Sequence, residues 1–130
     1  MEEPLSVMVV DDQAPFRMAA RAVIHRSEGF TLAGEAENGV KALELANEIH
    51  PDVVLMDINM PEMGGIEATR RIVAELPETF VILCSTYDNA DLPPEAATSG
   101  ACAYLKKERL GVETLRRLWA ERDSESFVAS

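Results

Sequence analysis

The sequence predicts a flavodoxin-like α/β fold: a doubly wound (βα)5 domain whose five-stranded parallel sheet runs in strand order 2-1-3-4-5. Three observations carry that expectation. Short apolar runs alternate with helical-period segments five times along the 130 residues, the pattern of successive βα units. The runs at 5–10, 53–56 and 80–84 are nearly continuous in apolar residues, as strands covered on both faces should be. Connections such as Asn38-Gly39 and His50-Pro51-Asp52 are short and polar, which suits compact βα packing.

Taken in order, Leu5 to Val10 reads as the first strand, and Phe16, Ala19, Ala20, Val23 and Ile24 mark the face of a first helix. Thr31 to Glu35 is shorter and more mixed, an outer strand. A second helix shows its apolar face at Val40, Leu43, Ala46 and Ile49. Val53 to Met56 is the third strand, followed by a weaker helical stripe at Ile66, Thr69, Val73 and Leu76. Phe80 to Cys84 is the fourth strand. The fourth helix is short, because Pro93 and Pro94 interrupt its first turns and leave only Glu95 to Ser99 before Gly100. Cys102 to Leu105 reads as a second outer strand, and Val112, Leu115, Leu118 and Trp119 mark the last helix. Periodicity is lost from about Asp123, so the domain is expected to span residues 4–122, with 123–130 a tail.

Twelve basic against 23 acidic side chains give a formal charge of −11, spread along the chain. That field repels phosphate backbones and anionic lipid, so direct binding to nucleic acid or membrane is not expected, and a cation or a protein partner suits the chain better. Cys84 and Cys102 lie in apolar stretches without metal-ligand spacing and read as reduced, structural thiols. The acidic N-terminus with its brief apolar run does not resemble a signal peptide, and no segment is long enough for a membrane span; a cytoplasmic location is expected. The six methionines fall mainly in strands and around Pro61, as core filling does.

The chemistry concentrates at predicted strand ends. Asp11 and Asp12 follow the first strand and Asp57 ends the third; in the expected strand order these neighbours meet at the topological switch point. Single strand-end aspartates commonly cap turns and helices, but three converging carboxylates need a counterion. At an effective dielectric of about 20, two carboxylates roughly 5 Å apart repel by ~3 kcal/mol. A hard divalent cation removes that penalty, and Mg²⁺ suits a site with few carboxylates and retained waters. Ser85 closes the fourth strand with a hydroxyl, and Lys107 follows the fifth with a cation. Together they offer what phosphoryl transfer to a carboxylate needs: neutralisation of the phosphoryl oxygens while Asp57 attacks in line. His25 and His50 fall away from the aspartates and are not expected to take part.

The segments VMVVDDQAPFR, VVLMDINMPEMGGIEA, VILCSTYD and GACAYLKKE stand in this order from about residue 5 to 120, and in them the chain resembles the response-regulator receiver family of bacterial two-component systems, the CheY-like domains. In motif it is most similar to receivers of the NarL/LuxR-type branch. The resemblance implies that Asp57 is the phosphoacceptor, Asp12 a direct Mg²⁺ ligand and Asp11 a ligand through water, with the Asn59 carbonyl completing the protein share; Mn²⁺ is expected to substitute. It further implies that Ser85 is the switch hydroxyl, Tyr104 the switch aromatic and Lys107, not Lys106, the phosphate-binding lysine. A buried strand aromatic with a satisfied hydroxyl is the plainer reading of Tyr104. The implied partners are a sensor histidine kinase or phosphotransfer protein and a downstream target or attached effector domain. The implied output face is made by the fourth helix, fifth strand and fifth helix, in a monomer or a weak, phosphorylation-dependent dimer.

Some positions depart from the family pattern. Glu108 stands where many members have proline, Gly64 where aspartate often caps the third helix, and Thr86 where alanine is frequent, beside the phosphate entrance. Asn59 and Tyr87 occupy positions where the family tunes dephosphorylation. The proline pair is expected to leave Thr86 to Leu92 an extended, mobile loop, with a reduced output face. An aspartate-nucleophile phosphatase is disfavoured because Asp57-Ile58-Asn59-Met60 lacks the second aspartate of the DxDx(T/V) pattern. A nucleotide or flavin module is disfavoured because no glycine-rich loop follows the first strand. The chain is expected to act as a self-modifying switch and not as an enzyme. A DNA-binding regulator cut before its helix-turn-helix is the remaining alternative.

Overall fold

The computed structural model describes residues 3–88, 91–123 and 128–129. Strands β1 (Leu5–Val10), β2 (Phe30–Ala36), β3 (Val53–Asp57), β4 (Phe80–Ser85) and β5 (Ala103–Lys106) form a parallel sheet in the order β2-β1-β3-β4-β5. The expected architecture and strand order are therefore present. A sixth strand joins them: Val128–Ala129, inside the segment read as a tail, form a two-residue β6 that pairs in parallel with Ala103 and Tyr104. The rest of that segment beyond Asp123 lies outside the described residues.

Helices α1 (Ala14–Arg26), α2 (Gly39–Ile49), α3 (Gly65–Glu75), α4 (Glu95–Thr98) and α5 (Val112–Ala120) connect the strands. Because side chains alternate along a strand, each central strand feeds two cores. On one face Val7, Val9, Leu55, Ile82 and Leu105 pack against Ala20 and Ile24 of α1 and Leu115 and Leu118 of α5. On the other, Met8, Val10, Met56, Leu83 and Tyr104 pack against α2, α3 and α4 through Ala42, Ala46, Ala68, Ile72 and Ala96. All the residues of β3 and β4 are buried, whereas β2 at the sheet edge is half exposed.

Two helical stripes are rotated from the expected ones. In α2 the buried line is Gly39, Ala42 and Ala46, and Val40 is 42% exposed; small residues let this helix approach closely. In α3 the buried line is Gly65, Ala68, Thr69 and Ile72, while Ile66, Val73 and Leu76 pack around its margin. Bulk pointed to the flanks, whereas the contact is made by small residues in α2 and by small residues together with Ile72 in α3.

Helix ends follow local chemistry. Asn38 caps α2 by accepting from the Lys41 N–H at 2.9 Å, and His50 ends it in the left-handed region at φ 47°. Gly64, in the N-cap position of α3, supplies no side-chain hydrogen bond. The α3 start presses on the end of β3: the Gly65 N–H donates to Ile58 O at 2.8 Å, and a Cβ on Gly65 would lie 1.9 Å from the Asp57 carbonyl oxygen. Only glycine fits there without moving the helix or the strand end. We therefore expect Gly65→Ala to destabilise the domain by about 1–3 kcal/mol as an overpacking change. Urea denaturation checks this; an unchanged midpoint would mean that α3 slides freely on β3.

Candidate functional site

The site grows from the carboxyl ends of the central strands. Asp11 continues the alternation of Val7 and Val9 beyond β1 and is fully buried, while Asp12 is exposed. Asp11 Oδ1 accepts from the Gln13 N–H at 2.8 Å, turning the chain into α1, and its backbone carbonyl accepts from Arg17 Nη1 at 2.7 Å. Asp57, the last residue of β3, is 4% exposed. One oxygen from each of Asp11, Asp12 and Asp57 lies within 4.8 Å of the other two.

Lys107 begins a 3₁₀ turn immediately after β5 and shares strand parity with Ala103 and Leu105, on the face covered by α1 and α5. Its Nζ reaches 2.6 Å from Asp11 Oδ2 and 3.3 Å from Asp57 Oδ1. Lys106 has the opposite parity and turns to Asp88 at 2.5 Å and Glu108 at 2.8 Å. The period of two along the strand thus sends the two adjacent lysines to different jobs. Burial draws the Lys107 pKa down, but the Asp11 and Asp57 carboxylates outweigh it and the net direction is up. Asp57 departs from an ordinary carboxylate: burial, then the Asp11 charge, push it up to about 6 against the pull of Lys107.

Two observations test whether these residues suit a cation. Asp11 Oδ2 is buried, and among the described residues it has no donor other than the Lys107 ammonium at 2.6 Å. Three carboxylates and one ammonium leave a formal charge of −2, which one divalent ion cancels. The donors are hard oxygens, so the set fits a hard divalent cation.

The other expected residues lie on or just beyond β3, β4 and β5. Ser85 is buried at the end of β4, its Oγ accepting from the Tyr87 N–H at 3.1 Å. Tyr104 is fully buried; its hydroxyl donates to the Tyr87 carbonyl at 2.5 Å, with the Ser85 carbonyl at 3.2 Å. The Asn59 side chain donates to the Tyr87 hydroxyl at 3.2 Å, so the two positions singled out for dephosphorylation rate touch one another. Thr86 is exposed. Of the loop expected to be extended and mobile, residues 89–90 lie outside the described residues, but Tyr87 and Asp88 are anchored by Tyr104 and Lys106. His25 and His50 are exposed, and both cysteines are free thiols, Cys84 buried.

Sequence reasoning missed two neighbours. Phe16 looked like part of a core stripe, yet the Lys107 Nζ stands over its ring, 4.7 Å from the centroid. Arg17, besides holding the Asp11 carbonyl, lies 3.6 Å from Glu35 of β2 and so ties two strands to α1. Nothing in their spacing distinguished them from ordinary residues of an amphipathic helix.

A doubly wound parallel sheet with an acidic trio at its switch point, faced by a lysine, defines a carboxylate site whose donors suit a divalent cation. The chain belongs to the response regulator receiver domain family, which residues 7–120 match. Transcriptional regulatory protein YdfI of Bacillus subtilis is 41% identical over 102 residues, 78% of this chain and 47% of that protein. Chemotaxis protein CheY of Thermotoga maritima is 41% identical over 101 residues, 78% of this chain and 83% of its own. The signal receiver domain of the response regulator NarL from Mycobacterium tuberculosis superposes with a TM-score of 0.84 at 30% identity, covering 95% of this chain and all of that one. The chain spans about half the length of several of the curated transcriptional regulators it matches. It is a receiver domain of the two-component response regulators, a phosphoacceptor family. Among the described residues, no helix is long and apolar enough to cross a membrane.

The raised Asp57 pKa bears on stability. Its folded value, about 6, exceeds its ordinary 3.8, so the folded state holds the proton more tightly, and stability falls as pH rises from about 4 through 6. In chelator at pH 7.5, Asp57→Asn should be more stable than the wild type by on the order of 2 kcal/mol, with the difference closing below about pH 4. Thermal denaturation across pH checks both; an Asp57→Asn protein less stable at neutral pH would refute the raised Asp57 pKa.

Proposed function

We propose that Asp57 accepts a phosphoryl group from a sensor histidine kinase or phosphotransfer protein, with Mg²⁺ bound by Asp11, Asp12, Asp57 and the Asn59 carbonyl, Mn²⁺ being able to substitute. The observation that carries this reading is the Lys107 ammonium, set between Asp11 and Asp57 at 2.6 and 3.3 Å. When bound, the cation would supply positive charge to the phosphoryl oxygens and hold the carboxylates in register. An Asp57 oxygen attacks phosphorus in line, the bond from phosphorus to the histidine nitrogen breaks, and the imidazole leaves with its proton. Lys107 neutralises charge developing on the transferred oxygens. Burial, then the Asp11 charge, favours a protonated Asp57; Lys107 opposes this, and the cation when bound would help it keep the nucleophile ionised.

The switch follows from hydrogen bonds already made. Ser85 Oγ accepts from Tyr87 N–H, which leaves its hydroxyl proton free to donate to a phosphoryl oxygen. Moving Ser85 toward that oxygen pulls on Tyr87, whose carbonyl is held by Tyr104. The change thereby reaches α4, β5 and α5, the proposed partner-binding surface, in a monomer or a weak phosphorylation-dependent dimer. Self-catalysed transfer and hydrolysis, with no other substrate, complete the reading. The folded unit proposed for this activity is residues 4–122, acting in the cytoplasm.

A second reading concerns context. Because the chain matches only about half of transcriptional regulators such as YdfI, it also suits the receiver half of a DNA-binding regulator whose effector domain follows. The charge of −11 assigns any nucleic-acid contact to such a domain and not to this one.

Incubation with acetyl phosphate should add one phosphoryl group by intact mass, only with Mg²⁺ or Mn²⁺ present, and not in Asp57→Asn. Asp12→Ala should weaken Mg²⁺ binding, Lys107→Ala should impair phosphorylation with metal affinity largely kept, and Lys106→Ala should leave labelling near wild type. Undiminished labelling of Asp57→Asn would place the acceptor elsewhere.

A further inference from the structure

We propose that Phe16 is a positioning residue for Lys107, its aromatic face fixing where the ammonium stands; this role rests on the phosphoacceptor reading above. The Lys107 ammonium meets Asp11 Oδ2 at 2.6 Å and Asp57 Oδ1 at 3.3 Å, and the Phe16 ring at 4.7 Å from its centroid. Lysine is a point charge on a flexible stem, so two carboxylates alone leave it able to settle on either one or to turn to water. The ring closes a third direction. It attracts the cation electrostatically and occupies space that water would otherwise fill.

Phe16 is itself held. It is half-buried and packs against the core between the sheet, α1 and α5, and the next residue, Arg17, binds the Asp11 carbonyl at 2.7 Å. One turn of α1 therefore sets both the buried carboxylate and the face against which the lysine rests. The two titratable contacts of Lys107, Asp11 and Asp57, are metal-side groups, which makes Phe16 the fixed reference when a cation and a phosphoryl group redistribute charge among them.

The experiment compares Phe16→Leu, which keeps bulk without a π face, with Phe16→Tyr, which keeps both. In the free protein, NMR should show the Lys107 ε-methylene protons shifted upfield by the ring in wild type and Phe16→Tyr and relaxed to ordinary values in Phe16→Leu. In saturating Mg²⁺, beryllofluoride affinity should fall roughly fivefold to tenfold in Phe16→Leu and recover in Phe16→Tyr, with Mg²⁺ affinity held within about twofold. On a Lys107→Ala background the Phe16→Leu change should add no further loss. An equal loss on that background would make Phe16 a packing residue only, and an unshifted Lys107 in wild type would remove the contact; either overturns the proposal. A wild type that ignores beryllofluoride with Mg²⁺ present, its Lys107 still ring-shifted, would instead overturn the phosphoacceptor reading and the role that rests on it.

Discussion

A lysine held 2.6 Å from one buried carboxylate and 3.3 Å from another needs a rigid frame, because each buried ion loses hydration that only such short distances offset. Here the frame is the central sheet, with β3 and β4 buried along their whole length. Hydrophobic burial on both faces fixes the register, and the register fixes the charges. The stability stored in the two cores is what lets the carboxyl end of the sheet keep an arrangement that is locally unfavourable.

Strand parity then sorts the site into two sides. Asp11, Asp57 and Lys107 share the parity of the core beneath α1 and α5, whereas Ser85, Tyr104 and Lys106 share that of the other. The Lys107 ion pairs lie on one side of the sheet and the hydrogen bonds of Ser85, Tyr87 and Tyr104 on the other. They meet at the short register between β4 and β5, where Ser85 pairs with Lys106 and Leu83 with Tyr104.

Much of this was legible in the sequence. Continuous apolar runs gave away the doubly covered strands, and the strand-end aspartates, serine and lysine followed from topology once the order of strands was known. The helical stripes were less legible. Val40 is large and apolar but exposed, and Gly39, Ala42 and Ala46 make the real contact, because close helix packing selects for small size, which a hydrophobicity pattern does not register. Gly65 was equally silent: its need comes from a carbonyl on another element, invisible to any local rule. Phe16 belonged to the expected stripe, and its second surface, toward Lys107, shows only when the fifth strand is in place. The pairing of residues 128–129 with β5 had no periodic signal, since two residues are too few to make one.

Because β6 runs parallel to β5, the chain there heads toward the end of the sheet at which Asp57 lies. A fluorophore or fused module joined directly after Ala129 would start from a strand that points to this end of the sheet. Attachment at that point shares a pole with Asp57, the proposed phosphoacceptor, which makes it a sensitive place for a reporter and a poor one for a bulky purification handle.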